Sequence, residues 1–162
     1  MKSLRIALLT LGLFAAPAVA GAPWMSIEVP ANPMDRGTQG AFAVIHTYLH
    51  ERPMPYVVTG TAEGLVNGAR RSQALSLSST GRTGTMALRK NWGDAGVWVL
   101  KLGVEGTELG AAIGVDQGGD VAFVRIPLTS SGAQRQPTMA EIESMLRALA
   151  AGERVPALQS DH

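Results

Sequence analysis

The chain has 162 residues, a formal net charge of +1, nineteen glycines, nine prolines and no cysteine. That length suits one domain with a single core, the near-neutral charge gives no footing for a nucleic-acid partner, and the lack of cysteine excludes disulfides and thiolate chemistry. Glycine and proline beside many valines, threonines and serines point to short strands and tight turns.

The first twenty residues read as a leader. Lys2 and Arg5 form a positive start, Ile6 to Ala16 an apolar run, and Ala18-Val19-Ala20 a small-residue cleavage signature. The apolar run of about eleven residues falls short of the roughly twenty that span a membrane. The pattern predicts export with cleavage near Ala20, a retained N-terminal anchor being the alternative. Without Lys2 and Arg5, twelve basic residues face thirteen acidic ones, and the mature chain is close to −1.

Trp24 to Val29 alternates, with Trp24, Ser26 and Glu28 on one side and Met25, Ile27 and Val29 on the other. This predicts a half-buried first strand, ended by Pro30 and Pro33. Gly40 to His50 reads as the longest apolar strand, and the prolines of 51–55 turn the chain. Tyr56–Val66 and Arg70–Ser78 flank Asn67-Gly68, a dipeptide that suits a two-residue hairpin turn with positive φ at both positions. The stretch Gly84 to Leu102, GTMALRKNWGDAGVWVLKL, reads as two strands facing each other across a short polar turn, with Trp98 as a core anchor. Gly110–Asp116 and Val121–Leu128 form a last hairpin around Gln117-Gly118-Gly119.

Seven to eight short strands with turn signals every 8–12 residues or so predict an all-β, immunoglobulin-like antiparallel sandwich over 24–128. A small antiparallel barrel is the alternative. Thr129–Pro137 reads as a flexible linker. Thr138-Met139-Ala140-Glu141 then fits a capping box, followed by an amphipathic helix to Gly152 with a stripe of Ile142, Met145, Leu146 and Leu149. With Met139, this stripe is the candidate partner surface if the helix does not dock on its own domain. Residues 153–162 read as a disordered tail.

His46, His50 and Met54 are the candidate metal ligands, with copper the metal that thioether and imidazole donors would favour. On a straight strand, His46 and His50 would stand about 13 Å apart, too far for ligands that each sit about 2 Å from one ion. Met25 and Met34 are further thioethers within reach of this region. No Gly-x-Ser-x-Gly elbow is present. Glu28, Glu51, Glu63, Asp94, Glu105, Asp116 and Asp120 fall on separate turns and strands, so a hydrolase built on paired carboxylates is the least favoured function. The 114–120 segment lacks the ligand spacing of a calcium hand and reads as a turn. Arg70, Arg71, Arg82, Arg89 and Lys90 read as a solvated basic set.

The strand Ser26-Ile27-Glu28-Val29-Pro30, the long strand 41–50, Gly84-Thr85-Met86-Ala87-Leu88, Trp92 and Gly96-Val97-Trp98-Val99-Leu100-Lys101-Leu102 together give a pattern over about 24–104. It resembles the exported bacterial immunoglobulin-like domains grouped as YtkA-like, FixH-like and CopC-like. The resemblance implies a sandwich fold, and some members of the group are similar to periplasmic copper carriers that use an N-terminal histidine. Here the expected mature start, Gly21-Ala22-Pro23, has no histidine, and 98–128 has none either, so the carriers' ligand set does not carry over. The expected function is a non-catalytic, exported binding or accessory module of the cell envelope acting by protein–protein contact, with loops 31–39, 51–56 and 104–110 as regions of interest. A periplasmic metal-binding protein using His46, His50 and nearby methionines is the alternative.

Overall fold

A computed structural model of the protein describes residues 22–153. The expected leader over 1–20 and the chain from residue 154, with His162, lie outside them. The strands are β1 (Trp24–Glu28), β2 (Ala43–Leu49), β3 (Arg52–Pro53), β4 (Val58–Val66), β5 (Ala69–Ala74), β6 (Ser76–Ser79), β7 (Thr85–Arg89), β8 (Val97–Val104), β9 (Gly110–Val115) and β10 (Val121–Arg125), followed by one helix, α1 (Met139–Ala151).

They form two antiparallel five-stranded sheets. The first runs β1-β2-β7-β6, with β3 also paired to β2, and the second runs β10-β9-β8-β4-β5. Each sheet keeps two separate ends, so the fold is an all-β sandwich and no barrel closes among the described residues.

The alternation read from the sequence sets the inner faces. Met25, Ala43, Ile45 and Leu88 from the first sheet meet Val58, Ala62, Trp98, Leu100, Leu102, Ala111, Ile113 and Val115 from the second in one apolar core. Asn67 and Gly68 take φ of 50° and 76°, the turn their dipeptide predicts, and β4 and β5 pair on either side of it.

Three features depart from the expectation. Arg70–Ser78 is not one strand: β5 pairs with β4 in the second sheet, while β6 pairs with β7 in the first. The chain changes sheets at Leu75, whose amide donates to the Gly60 carbonyl. Side-chain alternation continues through such a crossing, so the sequence pattern shows one strand where hydrogen bonding makes two. Likewise β7 and β8 do not pair with each other, because the 90–96 connection carries the chain from one sheet to the other. Trp92 on that connection is buried and meets Phe42 edge-to-face at 4.9 Å.

The third departure is 129–137, which is folded rather than loose. Thr129 and Ala133 close a turn, Leu128 bridges Gln134, and Arg135 donates to the Pro127 carbonyl. The Gln134 side chain accepts from the Met25 amide at 2.8 Å and donates to the Met25 carbonyl at 3.0 Å. It thereby occupies backbone groups on the β1 edge, which a neighbouring strand would otherwise use.

A third layer covers the outer face of the second sheet. Ile142, Met145, Leu146, Ala148 and Leu149 of α1 pack on Val97, Val99 and Ala112. The capping box forms as expected, with the Thr138 side chain accepting from the Glu141 amide and the Glu141 carboxylate accepting from the Thr138 amide. Gly152 ends the helix in the left-handed conformation. No helix among the described residues is long and apolar enough to cross a membrane.

Candidate functional site

The outer face of the first sheet carries the residues that the core does not use. Antiparallel pairing sets Trp24 opposite Tyr48, Ser26 opposite His46 and Glu28 opposite Val44, so these side chains share one face. The Trp24 and Tyr48 rings stack with centroids 4.2 Å apart and planes 16° from parallel. Both are partly exposed. His46 follows on the same strand, 6.4 Å from the Tyr48 ring. Its Nε2 lies 3.4 Å from the Glu28 carboxylate and its Nδ1 3.5 Å from the Thr85 hydroxyl.

The 30–42 loop borders this face. A 3-10 turn over Arg36–Thr38 is capped by Asp35, whose side chain accepts from the Gly37 amide. Arg82 pairs with Asp35, and Arg89 donates to the Gln39 carbonyl, which ties the loop to β7 and to the turn before it. The Gly37 amide and then the Arg82 guanidinium hold the Asp35 carboxyl below its usual range. Val44 and Ala87 point away from the inter-sheet core yet are 0% and 1% exposed. Met34, on the same loop, is 86% exposed.

The candidate metal ligands are distributed over three kinds of backbone. His46 is on a regular strand, His50 is in the turn after it at φ 49°, and Met54 follows β3, its amide donating to the Thr47 carbonyl. Among the described residues, no group of three or more His, Cys, Asp or Glu side chains is placed to hold a metal ion.

The scattered charges are mostly absorbed locally. Arg70 bridges Glu63 and Glu143, linking β5, β4 and α1. Glu63 is 7% exposed and also accepts from Ser72 at 2.8 Å. Lys90 pairs with Asp94 and keeps that carboxyl below its usual range. Asp116 accepts from the amides of Gly118 and Asp120, which makes 116–120 a turn closed on its own side chain.

Of the candidate partner-surface residues, Ile142, Met145, Leu146 and Leu149 are buried against the second sheet, while Met139 is 47% exposed. A partner would have to displace the helix to reach the four. The reason is that Val97 and Val99 form a second apolar stripe on β8, facing away from the core, and the helix covers it. The Trp24–Tyr48 pair, in contrast, was open to prediction only in half: Trp24 alternates with Ser26 and Glu28, an aromatic on a polar face, but the register that sets it against Tyr48 has no local signal.

No protein-family model matches the chain, and neither a curated protein nor a solved structure matches it.

Proposed function

We propose that this protein is a non-catalytic binding or accessory module, exported to the bacterial cell envelope, that contacts a protein partner through the outer face of its first sheet. The observation that carries the reading is the Trp24–Tyr48 stack, partly exposed on a regular sheet face. Trp, Tyr and Met are enriched in protein interfaces, Trp and Tyr because they cover much area for few rotatable bonds. Met34 adds an exposed thioether on the adjoining loop. The Glu28 side chain, 43% exposed, adds a carboxylate beside the aromatics and favours a partner segment that sets a basic group next to an apolar one. The leader pattern of residues 1–20 and the resemblance to the exported YtkA-like, FixH-like and CopC-like domains support the envelope location.

A photo-crosslinking residue at position 26, between Trp24 and Glu28, tests the reading in cells producing the full chain. A discrete adduct that weakens on Trp24→Ala and is absent with the crosslinker at Ala140, on the helix's exposed side, is the expected result. Failure to form any discrete adduct at position 26 would remove the proposal. N-terminal sequencing of the purified protein tests export separately, with a start at Gly21 expected.

A further inference from the structure

A groove of about 370 Å³ opens on the opposite side of the molecule, on the outer face of the second sheet. Its walls include Thr59, Thr61, Lys101, Glu105, Thr107 and Gln136. It exists because α1 does not cover the whole face. The helix packs on Val97 and Val99, and the next residue of β8 on that side is Lys101. Register places Lys101 between Thr61 of β4 and Ala112 of β9. Gln136 closes the adjoining end by packing on Gly103 and Gly110, and its Nε2 donates to the Thr107 carbonyl at 3.2 Å.

The groove carries one ammonium, Lys101, and one carboxylate, Glu105. Whereas Arg70, Arg82, Lys90 and Arg135 each pair with a carboxylate, no ion pair or hydrogen bond engages the Lys101 ammonium among the described residues. Glu105 lines the same groove from the turn that follows β8, and no ion pair joins it to Lys101. Lysine is a poor strand former, so its place on a central strand contributes little to the sheet. The threonine hydroxyls at 59 and 61, beside Lys101, can each donate and accept. No aromatic side chain lines the groove, which leaves nothing for a nucleobase or aryl ligand to stack on. The volume lies at the small end of ligand pockets.

We propose that this groove binds a small hydroxylated carboxylate, a sugar acid, with the carboxylate on Lys101 and the hydroxyls on Thr59, Thr61 and Gln136. The site is independent of the aromatic face on the first sheet, and either can fail without the other.

Glucuronate titrated into the 15N-labelled full chain is the test, with glucose and inorganic phosphate as parallel probes. The expected result is saturable shifts of the Thr61, Lys101 and Gln136 amides at millimolar glucuronate, weakened at least tenfold in Lys101→Gln and several-fold in Thr61→Val. Both variants keep the strand backbone, and an unchanged amide spectrum elsewhere shows that they fold. Equal shifts with glucose would remove the role of Lys101, and equal shifts with phosphate would remove the sugar-acid assignment. An absence of shifts at 50 mM or so of glucuronate would overturn the site.

Discussion

The indole of Trp98 lies against Gly64, the residue facing it across the β4–β8 ladder, so closely that a Cβ at position 64 would stand 2.5 Å from the ring. Trp98 is 4% exposed, and its Nε1 donates to the Ala95 carbonyl at 3.0 Å. The glycine therefore makes room for one of the two tryptophans of the core, and the indole keeps a polar partner. Gly64→Ala forces the indole out of this position, and the expected cost is about 1–3 kcal/mol, the range of an overpacked core. Urea unfolding followed by tryptophan fluorescence measures it. Wild-type stability would show that the ring can move aside without loss.

Arg135 holds Glu141 with two hydrogen bonds, of 2.9 and 2.7 Å, at the start of α1. That contact, with the Thr138 amide and hydroxyl, lowers the Glu141 pKa from 4.5 to about 2. Because the folded value lies below the unfolded one, the ionised carboxylate stabilises the fold above about pH 4.5, and this contribution fades as pH falls toward 2. Glu141→Gln keeps an acceptor for the Thr138 amide but loses the charged contact with Arg135, and should thus cost about 1.5–3 kcal/mol at neutral pH, the range of a hydrogen bond to a charged group. The difference from wild type should shrink between pH 4.5 and 2. Thermal unfolding of both proteins at a series of pH values measures this, and a difference independent of pH would sink the assignment.

Local pattern was enough for the sandwich, the Asn67-Gly68 turn and the capping box, since each depends on residues close in sequence. The choice of sheet was not legible. β5 and β6 continue one alternation through Leu75 yet belong to different sheets, and only long-range pairing decides that. The same holds for the sites. Trp24 was visible as an aromatic on a polar face, whereas its contact with Tyr48 depends on register. Lys101 read as one more alternating position on β8, and nothing nearby shows that α1 stops short of it. Residues 129–137 looked like a linker because Ser, Gly and Gln dominate, but Gln134 and Gln136 act over long range, on Met25 and Thr107.

The helix offers a comparison within one element. Met145 is 1% exposed among Val97, Val99 and Ala112, whereas Met139 is 47% exposed at the first position of α1. Met145→Ala should cost about 2–5 kcal/mol, the range of a truncated core methionine, and Met139→Ala about 0.5 kcal/mol or less, as for most surface changes. Chemical denaturation of the two variants separates them. Equal, small effects would mean that the helix is held by its caps and ion pairs, and its apolar stripe would again be open to a partner.

The histidines allow a direct test of metal binding. His46 stands between the Glu28 carboxylate and the Thr85 hydroxyl, while His50 occupies the following turn at φ 49°. That arrangement gives His46 oxygen neighbours rather than the sulfur and imidazole donors that Cu(I) favours. Anaerobic titration of the full chain with Cu(I) should therefore show no stoichiometric complex, and His46→Ala/His50→Ala should leave the titration unchanged. A one-to-one complex lost in the double variant would mean that the end of β2 rearranges to bring His46, His50 and Met54 onto one ion. The copper-binding reading would then displace the protein-partner one.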